Sequence, residues 1–322
     1  MKTKVLVVAG PTASGKTGLG IALARRLDGE IVCADSMQIY TGMPIATAAP
    51  TAAERQAAVH HLAEILPPDT PFSVAQYCKL AAETVADIAA RGKVPILVGG
   101  TGLFIDSFID HIQFAHVQTN PDLRRELLAK AGAAPAGGTA AEDRTADYYK
   151  KRPCPAAAEI HPNNKNRVVR ALELYYAGIT KTAQNAASRR EDSPYEALYF
   201  VLRYRDRQVL YDRINARVDA MLAAGLVEEA RQAYAACGPT ARQAIGHKEL
   251  LPYLEGSEPL ETAVERLKQE TRRYAKRQIT WFKRRQGTVV LEPDTMDTER
   301  LIAAATAQAE DFLYGKDKGK RA

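Results

Sequence analysis

The sequence predicts an α/β protein in which a doubly wound parallel sheet carries an inserted, mainly helical lobe. Three observations predict this fold. Short, nearly continuous apolar runs alternate with helical patterns, as in parallel sheets whose strands are buried on both faces. A glycine-rich segment joins the first apolar run to the first helical pattern. Between about residues 111 and 190 this alternation gives way to a mostly helical, basic stretch.

The elements follow in order along the chain. Apolar, β-branched runs predict strands at residues 4–9, 31–34, 94–98, 198–202 and 289–291. Apolar residues at helical spacing predict helices at residues 17–27, 52–66, 74–91, 209–236 and 260–285. Strands that alternate with helices in this way form a parallel sheet with helices on its faces.

The change of pattern divides the chain. We expect a core formed by residues 1–110 and 191–315, and an inserted helical lobe at residues 111–190. A segment rich in Ala, Gly and Pro predicts a loop at residues 131–141 within the lobe. The basic tail at residues 316–322 is expected to be disordered.

Composition excludes several classes of protein. The 322 residues are 46% hydrophobic and 25% charged, which is ordinary for a globular protein and unlike a disordered or fibrous one. No stretch approaches the roughly 20 apolar residues of a membrane-spanning helix, and the first apolar run is too short for a signal peptide. We therefore expect no membrane partner. The net charge of +6 is mild, so its distribution matters more than its total.

The four cysteines are isolated from one another. Cys33, Cys78, Cys154 and Cys237 form no CxxC pair, which disfavours a zinc ribbon or a thioredoxin-like redox site. Isolated cysteines are typical of proteins of the reducing cytoplasm, where they act as small buried apolar side chains. We expect a cytoplasmic location.

The glycine-rich segment matches GxxxxGK[ST], the spacing of a phosphate-binding loop. It follows a predicted strand and opens a predicted helix, which is the context that the pattern requires. Its glycines let backbone N–H groups point at phosphate oxygens, and the helix N-terminus adds partial positive charge. Lys16 can reach a terminal phosphate, and the Thr17 hydroxyl can bind Mg²⁺. The alternative is a chance glycine-rich turn. The candidate residues are Gly10, Pro11, Thr12, Ala13, Ser14, Gly15, Lys16 and Thr17.

The acid that most P-loop NTPases carry after a second strand is missing. The strand at 94–98 is followed by Gly99, Gly100, Thr101 and Gly102, so a hydroxyl stands where a magnesium-binding carboxylate is common. The strand at 31–34 does end in an acid, Asp35. Because ligands bind at the carboxyl ends of parallel strands, Asp35 is expected beside the P-loop as a magnesium ligand or a general base. The alternative is an aspartate that only caps a turn.

With these residues in place, the chain resembles the tRNA dimethylallyltransferases, also called tRNA isopentenyltransferases. Two conspicuous matches are the block from Asp35 to Tyr40 and the block Arg277-Gln278-Ile279-Thr280-Trp281-Phe282. Nine matching blocks run in the family's order over about residues 5–285, and that ordered set is highly specific. The remaining blocks are residues 10–17, 60–62, 97–103, 160–164 with Arg167, 170–173, 217–219 with Met221, and 244–249.

The resemblance implies a reaction. A dimethylallyl group moves from dimethylallyl diphosphate to the exocyclic amine of an adenine beside the anticodon of tRNA. It implies that the P-loop holds the donor's diphosphate, that Asp35 accepts the amine's proton, and that Thr101 contacts the leaving group. Lys16, Mg²⁺ bound through Thr17, and Arg217 would neutralise the charge that develops there. No γ-phosphate is hydrolysed, which agrees with the missing acid.

The resemblance also implies an RNA-binding surface. Over residues 265–285, nine basic residues face two acidic ones, with aromatic residues between them, which suits a single-stranded RNA loop. The alternative is an ordinary solvated helix whose aromatic residues, Trp281 and Phe282 among them, belong to the core. The tRNA-binding positions carried over are Asp35, Ser36, Met37, Gln38, Thr101, Asn166, Arg167, Val168, Val169, Arg170, Arg242, Gln243, Gly246, His247, Lys248, Lys276, Arg277, Gln278, Trp281 and Lys283.

The chain departs from the family pattern at several positions. Thr41 stands where the family usually has Arg, and Ala49 where it has Lys, so two positive charges are missing near the expected site. Cys154 replaces the usual Asp before Pro155. We expect these changes to affect RNA affinity or loop geometry and not the chemistry. His60 and His61 invite a metal site, but no third ligand accompanies them and a structural role is favoured.

Other functions stay open at this point. The same cradle could serve an ATP-dependent small-molecule kinase, which would also need a lid of arginines. A second alternative transfers the prenyl group to a free adenine nucleotide, although such an acceptor needs neither the insert nor the basic helix. A third is a non-catalytic RNA-binding module with a vestigial P-loop, against which the intact Lys16, Thr17, Asp35 and Thr101 argue. We expect a monomer that binds the tRNA anticodon stem-loop and dimethylallyl diphosphate.

Overall fold

The computed structural model describes residues 2–114, 121–132, 154, 160–161, 164–179 and 193–315. The chain divides into two compact units, one formed by Met1–His111 with Ser193–Ala322 and the other by Ile112–Asp192. The expected tail at 316–322 and almost all of the expected loop at 131–141 lie outside the described residues. Unit 1 contains the whole sheet, and two helices are described in unit 2.

Unit 1 is built on a six-stranded parallel sheet with the order β3-β2-β4-β1-β5-β6. This confirms the predicted doubly wound parallel sheet. Each strand except β3 was predicted from its apolar run. The strands are β1 (Thr3–Ala9), β2 (Gly29–Cys33), β3 (His60–His61), β4 (Val94–Gly99), β5 (Tyr195–Leu202) and β6 (Thr288–Leu291).

Helices cover both faces of the sheet and extend beyond it. Those of unit 1 are α1 (Lys16–Arg26), α2 (Pro44–Thr47), α3 (Ala52–Ala57), α4 (Val74–Ala90), α5 (Gly102–Ile109), α8 (Arg207–Ala223), α9 (Leu226–Ala236), α10 (His247–Leu254), α11 (Leu260–Phe282) and α12 (Thr298–Tyr314). Unit 2 contributes α6 (Pro121–Gly132) and α7 (Lys165–Tyr176). None of the helices in the described ranges combines the length and apolar character that crossing a bilayer requires.

The central strand β1 is buried on both faces, which explains its unbroken apolar sequence. Its odd-numbered residues Val5 and Val7 pack in a core with α4 and α5. Its even-numbered residues Leu6 and Val8 pack in a second core with α1 and α12. Because successive side chains of a strand point to opposite faces, both sets must be apolar. Because β2, β4 and β1 are neighbouring parallel strands, their carboxyl ends lie at the same edge of the sheet. The predicted site residues follow these ends.

Two predicted helices differ from the structure. The helix expected at 52–66 is wrong beyond Ala57, because His60 and His61 instead pair with Ile31 and Val32 at the edge of the sheet. The helix expected at 209–236 is interrupted at Gly225, which adopts φ +98°, a left-handed conformation that favours glycine. The chain therefore forms α8 and α9 in place of one long helix.

Unit 2 has its own small core. Leu127 of α6 packs with Val168, Val169 and Leu172 of α7. The buried carboxylate of Glu173 pairs with Arg124 at 2.9 Å and with Arg170 at 3.1 Å. Cys154, the residue at one departure from the family pattern, is buried in the same cluster. All four cysteines are free thiols, as predicted, and Cys78 alone among them is only half-buried.

Candidate active site

The P-loop takes its shape from two glycines. Gly10 has φ +148°, and a Cβ there would lie 2.8 Å from the carbonyl oxygen of Leu202. Gly15, immediately before α1, has φ +94° in the left-handed region. An L side chain is strained at both positions, so the loop can curl around an anion only with glycine there. The geometry agrees with the predicted phosphate cradle.

The polar groups of the P-loop lack full protein partners. The buried Ser14 Oγ has no hydrogen-bond partner in the described part of the chain. Lys16 Nζ donates to the carbonyl oxygen of Pro11 at 2.6 Å. Burial, together with the nearby guanidinium of Arg217, lowers the pKa of Lys16 to about 7, and the carboxylate of Asp35 only partly opposes this. A ligand phosphate would satisfy these groups and stabilise the charged form of Lys16.

Asp35 stands at the end of β2 and serves two purposes. Its Oδ1 accepts hydrogen bonds from the backbone N–H of Met37 at 2.9 Å and of Gln38 at 3.4 Å. One oxygen of the Asp35 carboxylate therefore caps the turn after β2. The residue also lines the same cavity as Lys16 and Thr17, so its carboxylate is within the site as well.

The cavity is lined by both polar and apolar residues. Its volume is about 280 Å³. The charged and hydroxyl-bearing lining residues include Lys16, Thr17, Asp35 and Arg217, and burial lowers the pKa of Arg217. The apolar lining residues include Met37, Val218, Met221, Ile245 and Leu267. Such a cavity suits a small ligand with an anionic head and an apolar tail.

Thr101 is close to this cavity but does not line it. Its Oγ1 accepts a hydrogen bond from the backbone N–H of Ser36 at 3.1 Å. Its side chain also hydrogen-bonds the hydroxyl of Tyr274, whose pKa is raised by burial. Thr101 thus joins the loop after β4 to the loop after β2. Its predicted contact with a leaving group stays a prediction.

The residues predicted to bind RNA in unit 1 differ in position. Ser36, Met37, Gln38, Gln243, Gly246, Lys248 and Arg277 line the cavity itself. Arg242, Lys276, Trp281 and Lys283 are exposed outside it. His247 is 0% exposed and pairs with Glu229, and Gln278 is 5% exposed and also lines the cavity. The His247 side chain offers no exposed surface to RNA in this structure.

The RNA-binding residues predicted in unit 2 differ in their exposure. Arg167 is exposed and Arg170 is half-buried, while Asn166 lies in α7. The side chains of Val168 and Val169 are fully buried in the core of the unit. Their predicted contacts with RNA stay predictions.

The two histidines of β3 form no metal site. His61 Nε2 pairs with the buried Glu30 at 2.7 Å, and His60 Nδ1 lies 2.8 Å from the carbonyl oxygen of Ala58. No group of three or more His, Cys, Asp or Glu side chains within the described ranges could hold a metal ion. The structural interpretation of this pair is favoured.

Tyr274 and Thr271 line the cavity and were not among the predicted site residues. Both belong to α11, on the face that also carries Gln278. The helical spacing of Tyr274, four residues before Gln278, is the signal that could have found it.

The fold and the site together define a P-loop protein whose phosphate cradle opens into a partly apolar cavity next to a carboxylate. Comparison with known proteins gives the family. A family model described as IPP transferase matches residues 38–285. The chain belongs to the IPP transferase family.

Named relatives and solved structures agree with this assignment. A tRNA dimethylallyltransferase of Exiguobacterium sibiricum is 48% identical over 284 residues, which are 88% of this chain and 87% of that protein. One from Halalkalibacterium halodurans is 40% identical over 321 residues, 98% of each chain. The crystal structure of a tRNA delta(2)-isopentenylpyrophosphate transferase from Staphylococcus epidermidis is 36% identical with a TM-score of 0.69, and the match covers 97% of this chain and 100% of that one. A eukaryotic dimethylallyltransferase acting on tRNA gives 28% identity and a TM-score of 0.74, over 99% and 82% of the chains.

Proposed function

We propose that this chain transfers a dimethylallyl group from dimethylallyl diphosphate to the exocyclic amine of the adenine adjacent, on the 3′ side, to the anticodon of tRNA. The observation that carries the proposal is one cavity lined by Lys16, Asp35 and several apolar side chains. The charged residues suit a diphosphate, and the apolar residues suit a five-carbon chain. The names of the relatives support the same reaction.

The reaction requires a cationic environment for the leaving group. The bond between C1 of the donor and its bridging oxygen breaks, and the electron pair leaves with diphosphate. In this proposal Lys16, Arg217 and the N–H groups of the P-loop neutralise that charge. Preorganised electrostatics of this kind is usually the largest contribution to catalysis.

The acceptor reaches the site from RNA. A stacked adenine must be extruded, at a cost of a few kcal/mol, before its amine can meet the donor. The amine nitrogen forms the new bond to C1, and Asp35 accepts the proton that it loses. Basic residues exposed on α11, such as Lys276 and Lys283, are suited to the phosphates of the anticodon stem-loop.

The residues present fit a magnesium ion. Thr17 and Asp35 offer oxygen ligands to the same cavity, and Ser14 Oγ is buried without a described partner. Mg²⁺ is commonly held by one or two protein oxygens with substrate phosphates and water, so a larger cage is unnecessary. We propose that Thr17, with Asp35 nearby, would hold Mg²⁺, which would supply positive charge to the diphosphate.

Transfer assays distinguish this proposal from its alternatives. The protein is incubated with Mg²⁺, labelled dimethylallyl diphosphate and either bulk tRNA, AMP or ATP. We expect label in tRNA alone. Label in AMP would favour transfer to a free nucleotide, and ATP turnover without prenyl transfer would favour a kinase.

We also propose that the protein is a cytoplasmic monomer. The free cysteines support the cytoplasmic compartment. Gel filtration with light scattering measures the mass.

A further inference from the structure

One face of α11 contacts the segment that follows β4 through hydrogen bonds, and Arg285, three residues beyond the helix, adds an ion pair. Its residues Tyr274, Gln278, Trp281 and Arg285 recur at spacings of four, three and four, which places them on one side of a helix. In the same order they meet Thr101, Gly100, Asp106 and Asp110. The Trp281 Nε1 donates to Asp106 Oδ2 at 2.6 Å, and Arg285 pairs with Asp110 at 2.7 Å.

Gln278 makes the contact nearest the chemistry. Its Nε2 donates to the carbonyl oxygen of Gly100 at 2.9 Å, and its Oε1 accepts from the backbone N–H of Thr12 at 2.8 Å. Thr12 belongs to the P-loop, and Gly100 immediately precedes Thr101. One buried amide therefore joins the diphosphate loop to the loop that carries Thr101. The amide can make both contacts because it carries a donor and an acceptor on one group.

The packing leaves no free space at this contact. A Cβ on Gly100 would lie 2.1 Å from Gln278 Nε2, and a Cβ on Gly102 would lie 2.2 Å from the Trp281 ring. Glycine at both positions lets α11 approach the loop closely. The Gln278 side chain thus bridges the P-loop and the Thr101 loop in close contact with both.

Another side of α11 is exposed. Lys276, two residues before Gln278, is exposed outside the cavity, whereas Arg277 lines the cavity together with Gln278. Gln278 itself is 5% exposed and uses its amide nitrogen and oxygen within the protein. Although Gln278 belongs to a sequence block expected to bind tRNA, its contacts belong to the donor side of the site.

We propose that Gln278 is a positioning residue that fixes the P-loop relative to the Thr101 loop, so that the donor's diphosphate is held in register for transfer. This inference rests on the proposed function. It assigns α11 two roles, with RNA contacts on one side and donor-site geometry on the other. The loss of Gln278 is expected to act on the donor and not on tRNA affinity.

The Gln278→Glu variant provides a pH test. A protonated carboxyl group can donate to Gly100 and accept from Thr12 as the amide does, whereas an ionised one directs an oxygen at the Gly100 carbonyl. Burial favours the protonated form. We expect the single-turnover rate of the variant, divided by that of the unsubstituted protein at each pH, to rise at least severalfold between pH 8.5 and pH 6. The ratio removes pH effects that the two proteins share. A flat ratio would overturn the proposal.

The Gln278→Met variant keeps the size of the side chain and removes both hydrogen bonds. We expect the KM for dimethylallyl diphosphate to rise roughly tenfold or more, with the Kd for tRNA unchanged. Lys276→Ala, on the exposed side, is the matched control and should weaken tRNA binding without changing the donor KM. Weaker tRNA binding with an unchanged donor KM in Gln278→Met would overturn the proposal. Absence of transfer in the unsubstituted protein would instead overturn the proposed function.

Discussion

Lys16 and Arg217 bring two cationic groups to one cavity, and their proximity adds to burial in lowering the pKa of Lys16 to about 7. The free P-loop lysine therefore holds its proton less tightly than an exposed lysine does. A bound diphosphate adds negative charge beside the ammonium and restores its charged form. This pair makes donor binding a proton-linked event.

Donor binding at pH 8 should take up close to one proton. Above pH 7 free Lys16 is mostly neutral, and the bound diphosphate raises its pKa, so affinity for dimethylallyl diphosphate falls as pH rises through 7. Calorimetry in two buffers of different ionisation enthalpy measures the uptake. Lys16→Arg, which stays charged, should show almost none. Equal uptake by both proteins would assign the proton to another group.

Replacing Asp35 separates its two roles. Asp35→Asn keeps an oxygen for the backbone N–H of Met37 and removes the proton acceptor, so we expect single-turnover transfer to fall by about 10²–10⁴ while the Tm is retained. Asp35→Ala should lose the turn contact as well and lower the Tm. Transfer by Asp35→Asn within a few-fold of the unsubstituted protein would remove the carboxylate from the mechanism.

The exposed side of α11 should govern RNA affinity. Lys276→Ala and Lys283→Ala are each expected to weaken tRNA binding and to reduce the slope of log K against log salt by about one. Lys79→Ala, an exposed lysine on α4, is the control and should change neither. Filter binding over a range of salt concentrations gives the slopes. Slopes that match the control would place these lysines away from the RNA.

Glu229 should stabilise the wall of the cavity. Its carboxylate accepts from the backbone N–H of Ile45 at 2.7 Å and of Ala46 at 2.8 Å, and it pairs with the buried His247 at 3.0 Å. Glu229→Ala leaves these groups unpaired, so the free energy of unfolding should fall by about 2–4 kcal/mol. Urea denaturation measures the loss.

Glu228→Ala is the matched control for that experiment. Glu228 precedes Glu229 on α9, but its side chain is exposed and bonds only neighbouring residues of the helix. Its removal should change stability by less than about 0.5 kcal/mol. A similar small effect from both substitutions would contradict the role assigned to Glu229.

The sequence alone could predict features that depend on residues close together in the chain. The P-loop lies between a strand and a helix, and Asp35 ends a strand, so topology brings both to one edge of the sheet. The edge strand at His60 and His61 could not be predicted, because two residues carry no period and their conformation depends on pairing with β2.

The burial of individual site residues could not be predicted from the sequence either. Family blocks placed His247, Val168 and Gln278 together as RNA contacts, yet the structure buries all three. The position of a residue in a sequence block does not show which atoms it contacts. The contact of Gln278 with Thr12 spans 266 positions, so no local pattern could show it.

Donor binding is tested most directly by a crystal structure with Mg²⁺ and a donor analogue whose bridging oxygen is replaced by sulfur. We predict that the diphosphate lies on the P-loop with Lys16 and Arg217 at its oxygens, and that the dimethylallyl group lies between Asp35 and Met221. A donor bound outside this cavity, or one with its diphosphate away from Lys16, would contradict the proposed function.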